Sequence, residues 1–206
     1  LLGDKENLYT SIYIWMTVIG CISFIVIMYI FCGETFNKFF FGDRIDTGMD
    51  FFNSVLYTKG RHPYTQYHVI YPPLANVFFW IIGHSVPRDL FMNWPDSFEN
   101  GIMIRGTSAD LRLQQVLFFY FTIFVVMVAI MFVVVVSYAY ENARTGMAMG
   151  AAMLFSMGSL YAFERGNVIN LTMAFLLMYL IFYRSEKKWL RELALISLGI
   201  AAGFKL

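Results

Sequence analysis

The sequence predicts an all-α integral membrane protein, a bundle of several membrane helices with a long loop after the first of them. Three observations carry this. Of the 206 residues, 59% are hydrophobic and only 14% charged, against about 45–50% apolar and roughly 25% charged in an ordinary soluble domain. The charges avoid four long stretches, residues 10–33, 113–140, 147–163 and 168–183. A helix needs about 20 apolar residues to cross ~30 Å of hydrocarbon, and inside lipid its backbone groups must pair within the segment.

Five membrane segments follow in order: 10–31, 113–140, 147–163, 168–183 and one beginning near residue 193. A sixth apolar stretch, 74–86, is short for a crossing. The first segment is too long, and too rich in bulky aromatics near its end, for a cleaved signal peptide, and reads as a retained signal anchor. The chain ends at Leu206 inside an apolar stretch, so it is expected to be the N-terminal part of something larger. The domain reading is a single transmembrane domain over 1–206, truncated at its C-terminus. Its first membrane helix spans 10–32, a loop 33–112, and further membrane helices 113–206.

Arg184, Lys187, Lys188 and Arg191 cluster in one short loop, which the positive-inside rule places in the cytoplasm. Counting back, the turn at 164–167 is outside, 141–144 inside, and the loop 33–112 outside, provided 74–86 does not fully cross. The expected location is therefore a cell membrane, multi-pass, with the first long loop extracytoplasmic. That loop holds about half of the charged residues and is long for a mere connector. Within it, residues 50–57 form an amphipathic helix in which Phe51 and Val55 share a face and Asp50, Asn53 and Ser54 fall elsewhere. Such a helix is expected to rest in the bilayer interface with its apolar face down.

Several residues carry possible chemistry, each with a plainer reading beside it. Asp46 and Asp50 are four apart; on one helix they share a face, where like charge raises one pKa and helps a carboxylate act as base. The plain reading makes Asp46 a solvated loop acid and Asp50 a helix N-cap. Tyr71-Pro72-Pro73 marks extended chain turning into a helix at Leu74, because proline suits a first helical turn and extends the residue before it. Gly60, Pro63 and Tyr64 mark a preceding turn. Arg165-Gly166-Asn167, with Asn170 following, forms a tight turn between helices. Gly166 serves packing or a positive φ there, and Asn167 caps the next helix. Alternatively, Arg165 and the helix start at Val168 offer an anion site for a phosphate. Lys205 near the end of the last helix either snorkels to headgroups or binds a phosphate.

Other signals exclude functions. A net charge of +1 gives no support for a nucleic-acid partner. Cys21 and Cys32, both in the first apolar segment, show no metal or redox spacing and read as helix-packing residues; His62, His68 and His84 show no ligand spacing either. The small residues Gly146, Gly150, Ala151, Ala152 and Gly158 among methionines read as a close helix–helix interface in lipid.

The order of these motifs carries a resemblance. "GMDFFNSVLY", "GRHPY" and "YPPLANVFFW" are followed by "ERGNVINLTMAFLLMYLIFYR", a basic turn and "LALISLGIAAGFKL". This resembles the polyprenol-phosphate-dependent GT-C glycosyltransferases, most closely glycosyltransferase family 87, over nearly the whole chain. The resemblance implies a GT-C-like helical bundle and an inverting hexose transfer, mannose-like. The donor is a polyprenyl-phosphate-linked sugar, the acceptor an extracytoplasmic glycolipid or glycan, and membrane lipids surround both. By position, the implied base is Asp50, with Asp46 as fallback. Arg165, Asn167, Asn170 and Lys205, with Tyr57, Tyr64 and Tyr71, are carried over as substrate- or phosphate-binding residues. The chain departs from the family's Gly-Gln-x-Asn pattern, with Asn167 where the Gln stands, and Gly203-Phe204-Lys205-Leu206 matches only the start of its Lys-x-x-Pro pattern. No cofactor is required by this chemistry, because a lipid phosphate can leave without a metal; some GT-C relatives use one, so a divalent ion stays open. The rival readings are a transporter or lipid flippase, and a non-catalytic membrane assembly subunit. Proximity of Asp50, Arg165 and Lys205 separates the enzyme from the last of these.

Overall fold

The computed structural model of the chain describes residues 2–31, 48–59, 62–66, 69–87 and 111–205. Among them every regular element is helical. In order these are α1 (Leu2–Phe31), α2 (Met49–Lys59), α3 (Pro63–Gln66), α4 (Pro73–Ser85), a 3₁₀ turn (Leu111–Leu113), α5 (Gln115–Ser137), α6 (Ala143–Leu154), α7 (Met157–Arg165), α8 (Ile169–Phe182) and α9 (Lys188–Phe204). Phe39 to Phe41 and Cys32, like Asp46, lie outside the described residues.

The 23 residues of α5 are long and apolar enough to cross a membrane. Its run of valine and isoleucine would suit a strand in water, yet it is helical, with its backbone groups paired within the segment as a membrane crossing would require. Phe118, Phe119, Val126, Met127, Ile130 and Val134 on α5, and Trp15, Met16, Ile19, Ile22 and Ile25 on α1, are exposed. Apolar exposure on that scale marks a surface meant for lipid or for other helices.

Two expected membrane segments are shorter than a crossing, since the apolar parts of α1 and α8 are Leu8–Ser23 and Ile169–Phe182, and a third differs in shape. The segment 147–163 is not one straight helix: α6 and α7 are bent by 63° at a short break, and only together do they have the length and apolarity of a span. The break has a local cause. Ser156 turns to extended backbone (φ −65°, ψ 149°) and its Oγ accepts from the Ser159 N–H, giving the chain an N-cap in place of a continued helix. The stretch 74–86 forms α4, which begins after Pro72 with Pro73 at its first position and ends after 13 residues. At 1.5 Å per residue that is about 20 Å, too short to cross alone.

The amphipathic helix expected over 50–57 exists as α2, but it does not lie with one face on a surface. Met49, Phe51, Phe52, Val55, Leu56, Tyr57 and even Ser54 and Thr58 are buried. Ser54 and Thr58 turn their hydroxyls onto backbone carbonyls one turn back, which is how α2 hides polar groups on its inner sides. Phe51 stands at the centre, with its ring edge-on to Phe52, Phe79 and Phe121 at 5.3–5.8 Å. That geometry suits the ring quadrupoles, and it joins α2 to α4 and α5. Val168 and Phe204 close the same core from the starts and ends of α8 and α9.

Around this core α8 runs along α9 and α5 along α6. The α5–α6 approach is close enough that a Cβ on Gly146 would stand 2.6 Å from the Ser137 Cα, and one on Gly150 2.9 Å from the Val133 Cα. Small residues therefore do set this helix pair, as expected for packing in lipid. Gly158 does not take part, since a Cβ there would meet nothing within 4 Å.

Candidate active site

Two glycine turns bring α2 and α7 end to end. Gly166 closes α7 in the left-handed region (φ 69°), with its N–H and that of Asn167 returning to the Phe163 and Ala162 carbonyls. Gly48 precedes α2 at φ 72°, and its N–H donates to the Glu164 carbonyl at 2.7 Å. At Gly166 the space is also taken: a Cβ would lie 2.7 Å from the Phe51 Cβ and 3.2 Å from its backbone N. Only glycine lets the Arg-Gly-Asn turn sit against the first turn of α2.

Asp50 is the second residue of α2, at the helix end whose free N–H groups favour negative charge. The opposing turn grips it from both sides. Arg165 Nη2 lies 3.2 Å from Asp50 Oδ1, and Asn167 Nδ2 donates to Oδ2 at 2.6 Å. Both partners of the ion pair are about a quarter exposed, 24% for Arg165 and 23% for Asp50, so the pair is reachable from solvent without being screened like a surface one. Asn167 meanwhile accepts the Ile169 N–H on its Oδ1 at 3.0 Å, which fixes the orientation of its amide. The cap reading and the contact with Asp50 thus hold together in one side chain.

Tyr71 and Lys205 complete the cluster. Lys205 Nζ sits 4.6 Å from the centre of the Tyr71 ring, a cation–π distance. Burial raises the Tyr71 phenol well above its ordinary range, the Asp50 carboxylate raises it further, and Arg165 opposes them. The hydroxyl therefore keeps its proton and remains a donor. Asp50, Arg165, Asn167 and Lys205 line one cavity of about 420 Å³, with Tyr161 and Gly158 on its wall.

The carried-over residues separate cleanly. Asp50, Arg165, Asn167, Tyr71 and Lys205 come together. Asn170 does not: it is buried in α8 and donates to the Ser159 carbonyl at 3.0 Å, tying α8 to α7. Tyr57 lies two turns on from Asp50, inside the apolar core. Tyr64 lines a different cavity, described below. Asp46 lies outside the described residues. Tyr161 and Gly158 were missed because one is an unremarkable aromatic in an apolar run and the other looks like a helix-packing glycine. No group of three metal-ligating side chains occurs among the described residues.

Chemically the cavity holds one anion and two cations. Each Asp50 oxygen has a lone pair left beyond the contact it makes, enough to accept from a hydroxyl. Arg165 and Lys205 supply the charge that an anionic group entering beside that hydroxyl needs. Compared with known proteins, the chain matches no family model, no curated protein and no solved structure. Fold and site together define a chain whose described residues form only helices, one of them long and apolar enough for a membrane, with a carboxylate held between a guanidinium and an amide in a cationic cavity.

Proposed function

We propose that the chain belongs to a multi-pass membrane glycosyltransferase of GT-C type. It would move a hexose, mannose-like, from a polyprenyl-phosphate donor to an extracytoplasmic glycolipid or glycan with inversion. The observation that supports this reading is the convergence on one cavity of Asp50, Arg165 and Lys205, residues far apart in sequence. A subunit that only assembled with others would have no need to gather them.

In this reading the donor phosphate enters beside Arg165 and Lys205. As Arg165 turns part of its hydrogen-bonding to the phosphate, its hold on Asp50 Oδ1 slackens. The acceptor hydroxyl then donates to Asp50, which takes the proton as the hydroxyl oxygen attacks the anomeric carbon. The bond from that carbon to the phosphate oxygen breaks on the opposite face, and the two cations stabilise the leaving phosphate. Asn167 keeps the carboxylate aimed. A divalent ion is not needed for this balance.

Asp50→Asn in the full-length protein tests the reading, with transfer of labelled hexose from a polyprenyl-phosphate donor as the assay. Loss of the base is expected to lower transfer by about 10²–10⁴-fold. Activity near that of the unchanged protein refutes the role of Asp50, and equal silence of Asp46→Asn removes the transferase reading.

A further inference from the structure

Behind Tyr71-Pro72-Pro73 lies a second cavity, of about 450 Å³, formed where α2, α3 and α4 meet. Tyr64 and Trp80 flank it, each about half exposed. His84 and Asn76 line it. Asn76 is only 7% exposed; its Nδ2 donates to the Tyr71 carbonyl at 3.2 Å, and its Oδ1 is buried with no hydrogen-bond partner. A buried acceptor without a donor is a cost that native folds usually avoid, and one that persists beside a cavity points to a donor arriving from outside.

The rest of the lining agrees on what that donor belongs to. His84 Nδ1 is 2.9 Å from the Trp80 carbonyl. A carbonyl can only accept, so Nδ1 carries a proton, and in that tautomer of the imidazole Nε2 is the second acceptor. The Trp80 and His84 rings lie 4.3 Å apart at 32°, so His84 backs one face of the indole. Lys59 directs its ammonium to the Gly83 and Val86 carbonyls, at 3.2 Å each, and so serves the end of α4. The one cation of this lining, Lys59, is already turned to carbonyls, and a hydrocarbon chain would leave Asn76 Oδ1 unmet.

We propose that this cavity is a saccharide subsite. It takes a neutral pyranose ring, with the C–H face on Trp80 and Tyr64 and hydroxyls donating to Asn76 Oδ1 and His84 Nε2. The ring can be a free sugar or the headgroup of a glycolipid, since both present the same hydroxyls. The inference does not rest on transfer at Asp50, which lines the other cavity.

The test is saturation-transfer NMR on the full chain in nanodiscs, offered the methyl glycosides of mannose, glucose and galactose, and separately glycolipids carrying the same rings. Saturable binding of at least one ring is expected, weakened about tenfold by Trp80→Ala and by Tyr64→Ala, and partly restored in Trp80→Phe. Both residues are half exposed, so thermal midpoints should not move. Asp50→Asn is expected to leave binding intact even where it abolishes transfer. Tight binding of the glycolipid with weak binding of the glycoside assigns a lipid-borne source; comparable binding assigns a free one. Absence of saturable binding from every probe overturns the subsite, as does unchanged binding in Trp80→Ala. Loss of vesicle partitioning in the same variants, without sugar binding, would make the two aromatics interfacial anchors instead.

Discussion

The two cavities on either side of Tyr71-Pro72-Pro73 are alike in size and differ in how their polar groups are met. The one at Asp50 is about 420 Å³ and its polar groups are charged and paired: carboxylate with guanidinium and amide, ammonium with an aromatic face. The one at Asn76 is about 450 Å³ and holds aromatic rings, an imidazole, a lysine turned to backbone carbonyls and an amide oxygen with no partner. Fully paired charge keeps side chains fixed for a reacting group, whereas an unmet neutral acceptor waits for a ligand to complete it. The tripeptide serves both, because the Tyr71 ring lies under Lys205 while its carbonyl is held by Asn76.

The comparison breaks first at Gly166. Gly166→Ala must adopt a left-handed φ and place a Cβ 2.7 Å from the Phe51 Cβ. Strain and overpacking together are expected to lower the unfolding free energy by about 3 kcal/mol or more, read as a fall in thermal midpoint. At temperatures where the variant is folded, transfer should be lost with the displaced turn while sugar binding at Asn76 survives. Loss of both together would mean that the cavities form one unit.

A smaller effect sharpens the contrast of charge. Arg165→Gln keeps a donor near Asp50 but removes the cation, so kcat in the transfer assay should fall about tenfold to a hundredfold. Saccharide binding should be unchanged. A fall in sugar binding of the same size would show that the charged cavity reaches the second one.

The smallest effect concerns Tyr71 and pH. Its folded-state pKa is raised by burial above the ordinary value of 10.0. The folded chain therefore holds this proton more tightly than the unfolded chain does. Below about pH 10 the group adds no pH dependence; above it the unfolded state ionises first and stability falls as pH rises. Tyr71→Phe should flatten that alkaline loss, measured as the difference between the two proteins in unfolding midpoint from pH 9 to 11. Parallel curves would mean that the phenol is not buried beside Asp50.

Much of the fold was legible because it follows from local physics. The uncharged run that became α5 was long and apolar enough for a membrane helix, and Pro72 and Pro73 placed the start of α4 where proline is tolerated. The small residues of α6 and α7 announced a close helix contact, which Gly146 and Gly150 make and Gly158 does not. The break before α7 was not legible, since one serine in an apolar run either caps a helix or continues it, and sequence alone does not choose. The burial of α2 was equally hidden: its pattern has a polar side, but Ser54 and Thr58 satisfy themselves on their own helix and let that side be enclosed. In the site, Asp50 and Arg165 stood out as charged residues next to apolar runs, whereas Asn170 and Tyr57 matched a motif's order and went to packing.

By itself the sequence determined that this chain is helical, apolar enough for lipid in at least one segment, and supplied with a few charged residues at helix ends. Those properties come from composition and from the rule that backbone groups without water must pair within their own segment. Only the tertiary structure decided that Asp50 meets Arg165 and Asn167 across 115 and 117 residues, and that Asn76 keeps an empty acceptor behind Tyr71. Such pairings depend on how helices pack and on two glycines with no side chain at the point of contact, and no local pattern encodes a distance of that kind.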